Sequence, residues 1–341
     1  MVVHAGMQVG ACTCTGGTSI LHVFDAKPAL DESDPTSDAQ CMAMSTLSHA
    51  PLRDVDSLRA EFDGGRDYLS ACTLGVMPRA VRNLLIHDIN SVAAGRPDPH
   101  AYTAAVQRSR ELFARMVSLD SQRIAVGSQV SVLGALIATA VPDGGEVLVP
   151  AGDFSSVALP FVHAGRGVTV RAVPLAELAD SITHTTSMVA FSLVQSATGD
   201  VADAERIVAQ AHRFGARTYC DATQAVGWLP VDASMFDALT CHAYKWLCAP
   251  RGAAFLAVSE DLQSAMRPLF AGWYAGADPW ASCYGHEIDL AKDASQFDVS
   301  PAWQVFLGAA AALEIFATAD QTAVSEYTTG LAAKFRELVG I

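Results

Sequence analysis

Two short segments combine residue types that could together run covalent chemistry on a carbonyl compound. They are Thr218-Tyr-Cys-Asp-Ala-Thr-Gln-Ala-Val-Gly227 and Thr240-Cys-His-Ala-Tyr-Lys-Trp-Leu-Cys-Ala-Pro-Arg-Gly252. Asp221 stands just past the carboxyl end of a predicted strand, where open parallel sheets place their ligands. A carboxylate there can pair with a protonated pyridine nitrogen and make such a ring an electron sink. Gln224, on the same loop, is placed to hydrogen-bond a ring hydroxyl. Lys245 follows a second short strand and is flanked by Tyr244, Trp246 and Leu247. Apolar neighbours penalise the ammonium form, so the pKa falls and a neutral amine becomes available for imine formation. Each residue alone has a plainer reading, Asp221 as a helix N-cap and Lys245 as a surface lysine lying along apolar neighbours. Their joint occurrence, each at a strand end, favours the chemical one.

Three further features could complete such a site. In Gly127-Ser-Gln-Val-Ser131, a turn of small residues between a strand and a helix offers backbone N–H groups to an anion, with Ser128 and Gln129 at its tip. The same pattern also serves merely to cap a helix. His242 and Tyr244 could add side-chain donors to that anion, although a lone histidine is more often structural. Phe154, shortly after a strand, could stack on a planar ring or simply fill the core.

The elements that must position these residues alternate between strand-like and helical patterns from Leu52 onward, as in a parallel sheet covered by helices. Strands are predicted at 123–127, 146–150, 168–173, 188–194, 217–220 and 253–258, with another before Lys245. Helices are predicted at 130–140, 154–163, 205–214, 309–318 and 324–338, and Gly215 caps the third of these. Residues 1–50 are rich in turn-formers. They read as a disordered tail or as sequence upstream of the true start, with Met42 or Met44 as the alternative first residue. Residues 51–308 read as one large domain and 309–341 as the beginning of an incomplete small one. Without that small domain, the apolar stretch Ala309–Phe316 is expected to be exposed.

Composition narrows the class. With 51% hydrophobic and 17% charged residues, the chain can bury a sizeable core. A net charge of −14 argues against nucleic acid or an anionic membrane as partner. The apolar runs are too short to span a bilayer, and the first ten residues lack the pattern of a secretory signal. None of the eight cysteines has zinc-site spacing, so no metal is expected. Free thiols fit a reducing cytoplasm. No Gly-x-Gly-x-x-Gly follows a strand, which argues against a nicotinamide or flavin enzyme.

From about Tyr68 to Trp303 the chain resembles the class V aminotransferase family, whose enzymes depend on pyridoxal phosphate (PLP). That family includes cysteine desulfurases, kynureninases and isopenicillin-N-epimerase-like proteins. Asp221-Ala-Thr-Gln224 and His242-Ala-Tyr-Lys245 resemble its pyridine-nitrogen and Schiff-base motifs, and Gly127-Ser-Gln129 its phosphate turn. Phe154 falls at the ring-stacking position. In Gln195-Ser-Ala-Thr-Gly199, Ser196 stands where relatives carry an asparagine. Tyr68-Leu-Ser-Ala-Cys-Thr-Leu-Gly-Val-Met-Pro78 is similar to a segment that lies near the cofactor. Tyr244-Lys-Trp246 and Gly272-Trp-Tyr274 lean toward the kynureninase and epimerase-like branches.

The resemblance implies a mostly parallel seven-stranded sheet flanked by helices, a small amino acid as substrate and a homodimer. Ser300, in Phe297-Asp-Val-Ser-Pro301, would reach the partner's phosphate. Relatives continue past the last residue here, into a domain whose arginine holds the substrate carboxylate, and Arg336 lies ahead of that motif. The expected activity is of the aminotransferase or lyase type, with Lys245 as Schiff-base lysine and proton carrier. The rival reading is a truncated or catalytically degenerate PLP-binding homologue. Desulfurase activity ranks lower, because its nucleophile belongs to the missing part and Cys283 lies too early to replace it.

Overall fold

The computed structural model describes residues 9–12, 20–23 and 52–340. Within a first unit of residues 1–51, strands β1 (Val9–Cys12) and β2 (Ile20–Val23) pair antiparallel, Val9 opposite Val23. The remainder of the expectation for residues 1–50 lies outside the described residues.

The second unit, residues 52–341, is built on seven strands. These are β3 (Ile124–Gly127), β4 (Glu146–Pro150), β5 (Thr169–Val173), β6 (Thr186–Ser192), β7 (Arg217–Asp221), β8 (Ala238–His242) and β9 (Ala254–Val258). Their order across the sheet is β3-β9-β8-β7-β6-β4-β5. Only β9 runs against the rest, antiparallel to both β8 and β3, so the mostly parallel seven-stranded sheet is observed. Strand β6 stops at Ser192 rather than continuing to Val194: Leu193 N–H still donates to the Asp221 carbonyl, but its own carbonyl accepts from Ala202 N–H, and Val194 bridges to Val201.

Strand alternation sends successive side chains to opposite faces, and both faces are covered. Ile124, Val126, Leu148, Val189 and Phe191 enter one apolar cluster, while Ala125, Val147, Val149, Met188 and Ala190 enter the other. The chain's helices are α1 (Val55–Arg59), α2 (Arg79–Ala93), α3 (Pro99–Met116), α4 (Val130–Ala138), α5 (Ser155–Val162), α6 (Ala204–Phe214), α7 (Glu260–Ala265), α8 (Trp303–Ala317) and α9 (Gln321–Val339). Helices α4 and α5 cover the second face, and α3, α6 and α8 the first. Phe113 of α3 stacks on Phe255 of β9 with ring centroids 4.4 Å apart.

Two features of the helices also differ from the sequence-based expectation. Helix α8 begins at Trp303, well before residue 309, and packs against α2 and α3. Ala309, Ala312, Leu313, Ile315 and Phe316 are therefore buried, not exposed. Helices α2 and α3 were not anticipated, and α3 shows why. Its buried stripe includes Ser109 and Arg110, which break the apolar period.

Arg110 is buried with a purpose visible in the fold. Its guanidinium pairs with Asp298 at 2.5 Å, their side chains only 8% and 1% exposed. Arg110 also donates to the Ile124 carbonyl, and Val126 N–H donates to Asp298 Oδ1 at 2.7 Å. These bonds occupy the free side of edge strand β3, which leads into the turn at 127–131. No helix among the described residues is long and apolar enough to cross a membrane. Asp298→Ala strands a buried guanidinium and an edge N–H, so urea unfolding should show a loss of about 3–5 kcal/mol. A loss below about 1 kcal/mol would mean that the pair is not the anchor of this edge.

Candidate active site

The carboxyl ends of β4, β6, β7 and β8 open onto one cavity, joined by the turn after β3 and the segment just before β9. Asp221 is the last residue of β7 and only 4% exposed. Its Oδ1 accepts from Thr223 N–H at 2.9 Å, which fixes the carboxylate over its own turn. Burial pushes its pKa up to about 6, with Asp153 adding to the rise; the Thr223 bonds and Lys245 oppose it. His242 ends β8, and its N–H donates to Thr223 Oγ1 at 3.0 Å, tying the two loops together.

Lys245 lies three residues past β8 and is only 5% exposed. Its Nζ is 5.4 Å from the Phe154 ring centroid and 5.9 Å from that of Tyr244. Among the described residues the amine has no hydrogen-bond or ion-pair partner. Burial lowers its pKa, against the pull of Asp221. The main chain around it is fixed by close packing. Gly75 N–H donates to the Tyr244 carbonyl at 2.8 Å, and a Cβ at Gly75 would sit 2.1 Å from the Lys245 carbonyl oxygen. Only glycine fits there, so Gly75 is the point at which its segment meets the lysine loop.

Gln224 is a junction. Its Nε2 donates to the Cys72 carbonyl at 3.0 Å and to Ser196 Oγ at 3.2 Å, while Oε1 accepts from Trp246 Nε1 at 2.9 Å. Its backbone carbonyl accepts from Trp228 Nε1 at 2.7 Å. The loop after β4 is held by Asp153, which accepts from Ser192 Oγ at 2.5 Å, Ser192 N–H at 2.8 Å and Gln195 Nε2 at 3.2 Å. That anchorage brings Phe154 to the cavity. His242 is pushed down to about 4 by burial first, then by Arg251 and Lys245, and is therefore a neutral imidazole near pH 7. Its Nε2 accepts weakly from Gly252 N–H at 3.4 Å.

Of the residues singled out by sequence, the structure gathers Gln129, Phe154, Ser196, Asp221, Gln224, His242, Tyr244 and Lys245 around the cavity. Ser128 and Ser300 are not part of its lining, and Ser300 is exposed. Helix α4 starts at Val130, and it is Ser131, in its first turn, that lines the cavity. Sequence reasoning also passed over Arg251, whose guanidinium lies 5.2 Å above the Tyr244 ring and has no ion pair among the described residues. Asp153 was missed as well. Cys283 lies elsewhere, donating to the Pro279 carbonyl.

This donor set suits PLP. A buried, unpartnered amine stands beside a buried carboxylate, with an aromatic face above. The N-terminus of α4, His242, Tyr244 and Arg251 form an edge of donors and positive charge for a phosphate.

Comparisons with known proteins agree with the geometry. The family described as "Aminotransferase class-V" matches residues 80–339. A probable cysteine desulfurase of Methanothermobacter thermautotrophicus is 30% identical over 183 residues, covering 50% of this chain and 46% of that protein. Isopenicillin N epimerase of Amycolatopsis lactamdurans is 29% identical over 235 residues, covering 60% and 57%. The chain thus spans about half the length of the curated relatives it matches. The crystal structure of the cysteine desulfurase CsdA from Escherichia coli superposes with a TM-score of 0.70 at 20% identity, covering 84% of this chain and 77% of that one, a likeness of fold.

Asp221 makes the cofactor-free protein sensitive to pH in a defined direction. Its carboxyl titrates near 3.8 in the unfolded chain and near 6 in the fold, so its folding penalty grows as pH rises through that window. Asp221→Asn removes the penalty. In urea unfolding without cofactor, the variant should match wild type at about pH 4 and exceed it at about pH 7 by on the order of 2 kcal/mol. A variant less stable than wild type at the higher pH would contradict this reading of the buried acid.

Proposed function

We propose that this chain, which belongs to the class V aminotransferase family of PLP-dependent enzymes, acts on the α-amino group of an amino acid with Lys245 as the covalent anchor of the cofactor. The observation that carries this is the pair of buried ionisable groups, Lys245 and Asp221, left unpaired with each other at the ends of adjacent strands. When bound, PLP supplies an electron sink for negative charge developing at the substrate's Cα.

The side chains divide the remaining work. Asp221 would hold a proton on the pyridine nitrogen, since a carboxyl that is poorly solvated gains more from a cationic partner than an exposed one would. Phe154, which lines the cavity beside Lys245, would stack on one face of the ring. Gln129, Ser131, His242, Tyr244 and Arg251 would hold the phosphate, with Ser128 supporting the turn. Gln224 and Ser196 would serve the ring hydroxyl, Gln224 with its carboxamide already oriented by Cys72 and Trp246. Burial lowers the pKa of the Lys245 amine, which would favour it as the group that takes a proton from Cα and returns it to a neighbouring atom.

Among reaction branches, cleavage of a carbon–sulfur bond gains support from the relatives, since proteins named as cysteine desulfurases or probable ones recur among them. This moves sulfur chemistry ahead of transamination, reversing the order that the sequence motifs suggested. A homodimer remains the proposed assembly, with Ser300, exposed on each copy, as its candidate contact to the partner's phosphate site.

The test is the visible spectrum of the purified chain with added PLP, wild type beside Lys245→Ala, followed by borohydride reduction and peptide mapping. Wild type should turn yellow and reduction should fix the cofactor's mass on the peptide carrying Lys245, with neither seen in the variant. If wild type takes up no PLP, this reading fails and the chain is better read as a degenerate fragment that keeps the fold without the enzyme.

A further inference from the structure

A second cleft adjoins the cavity and shares Val194, Ser196 and Gln224 with it. Its floor and walls are Trp228, Trp246 and the α9 residues Thr328, Thr329 and Ala332, with Cys72 at one side. Among the described residues, no charged side chain lines it. Its volume of about 340 Å³ is more than twice the roughly 150 Å³ that suffices for a benzene ring in an engineered protein cavity.

The polar groups around this cleft are largely spent elsewhere. Both indole N–H groups donate to Gln224, one to its carbonyl and one to its side chain. The Gln224 carboxamide is engaged with Cys72 and Ser196. Thr328 and Thr329 return their hydroxyls to the carbonyls of Val324 and Ser325, at 2.9 and 2.7 Å, within their own helix. What the cleft presents is carbon surface, including two indoles whose centroids are 6.1 Å apart and inclined at 60°. A charged or strongly polar group entering it would lose water without gaining partners. An aromatic or aliphatic group would gain burial.

We infer that this cleft receives the side chain of the substrate, and that the substrate is an amino acid with a bulky aromatic or aliphatic side chain. On the carbon–sulfur branch, the class is a cysteine whose sulfur bears such a group. The inference rests on the proposed function, because the Lys245 side of Gln224 must hold the substrate's amine for its side chain to cross to the other. It departs from the expectation of a small amino acid, for which a cleft of this size has no use.

The test titrates the PLP-loaded full chain with L-alanine, L-glutamate and S-benzyl-L-cysteine, following the visible spectrum. S-Benzyl-L-cysteine should bind at least about tenfold more tightly than the other two. Ala332→Trp fills the cleft from α9 and should abolish that preference, and Thr329→Trp serves the same end if the first variant fails to take up PLP. A spectral response to all three amino acids with similar affinities overturns the assignment of the cleft and leaves the proposed function standing. No response to any of them overturns both.

Discussion

The structure depends on keeping two buried ionisable groups close without letting them cancel. Asp221 and Lys245 stand at the ends of β7 and β8, neighbouring parallel strands, each almost removed from water. Burial costs both groups, raising the acid's pKa and lowering the amine's. Direct contact would relieve that cost, as it does for Arg110 and Asp298 on the far edge of the sheet. Here the strand spacing, the Thr223 bond to Asp221 and the packing of Gly75 under Lys245 hold the groups apart. The closed pair stabilises an edge. The open pair leaves room for a ring between an acid and an amine.

The surrounding fold can be understood as support for that separation. Parallel strands bring four loops to one end, and a web of side-chain bonds fixes them to one another. His242 N–H reaches Thr223, Asp153 reaches Ser192 and Gln195, and Gln224 reaches Cys72, Ser196 and Trp246. Gln224 has a second consequence. By occupying both indole N–H groups, it turns the adjoining cleft into carbon surface, so the residue that orients the ring side also sets what the neighbouring space can accept.

Much of this was legible in the sequence, and the reasons are physical. Strands buried on both faces read as compact apolar runs, which is why β4 and β9 lie where their residues predict. Asp221 and Lys245 stood out because acid and amine side chains are rare beside such runs. Helix α3 was illegible because Arg110 and Ser109 occupy its buried stripe, and the burial of Arg110 makes sense only once Asp298, far away in sequence, is seen beside it. The turn after β3 was found, but the choice between Ser128 and Ser131 depends on where the helix starts. Asp153, Arg251 and the cleft beside Trp228 and Trp246 arise from contacts between loops, and no local spacing announces them.

The central claim is that Asp221 keeps a proton on the nitrogen of a ring held by Lys245. It is tested most directly by nitrogen NMR of the protein loaded with PLP labelled with ¹⁵N in the pyridine ring. The account predicts a protonated pyridine nitrogen in wild type that persists well above the pH at which free PLP loses that proton, and its loss in Asp221→Asn. A wild-type nitrogen that titrates like that of the free cofactor, or one unchanged by the substitution, would contradict it.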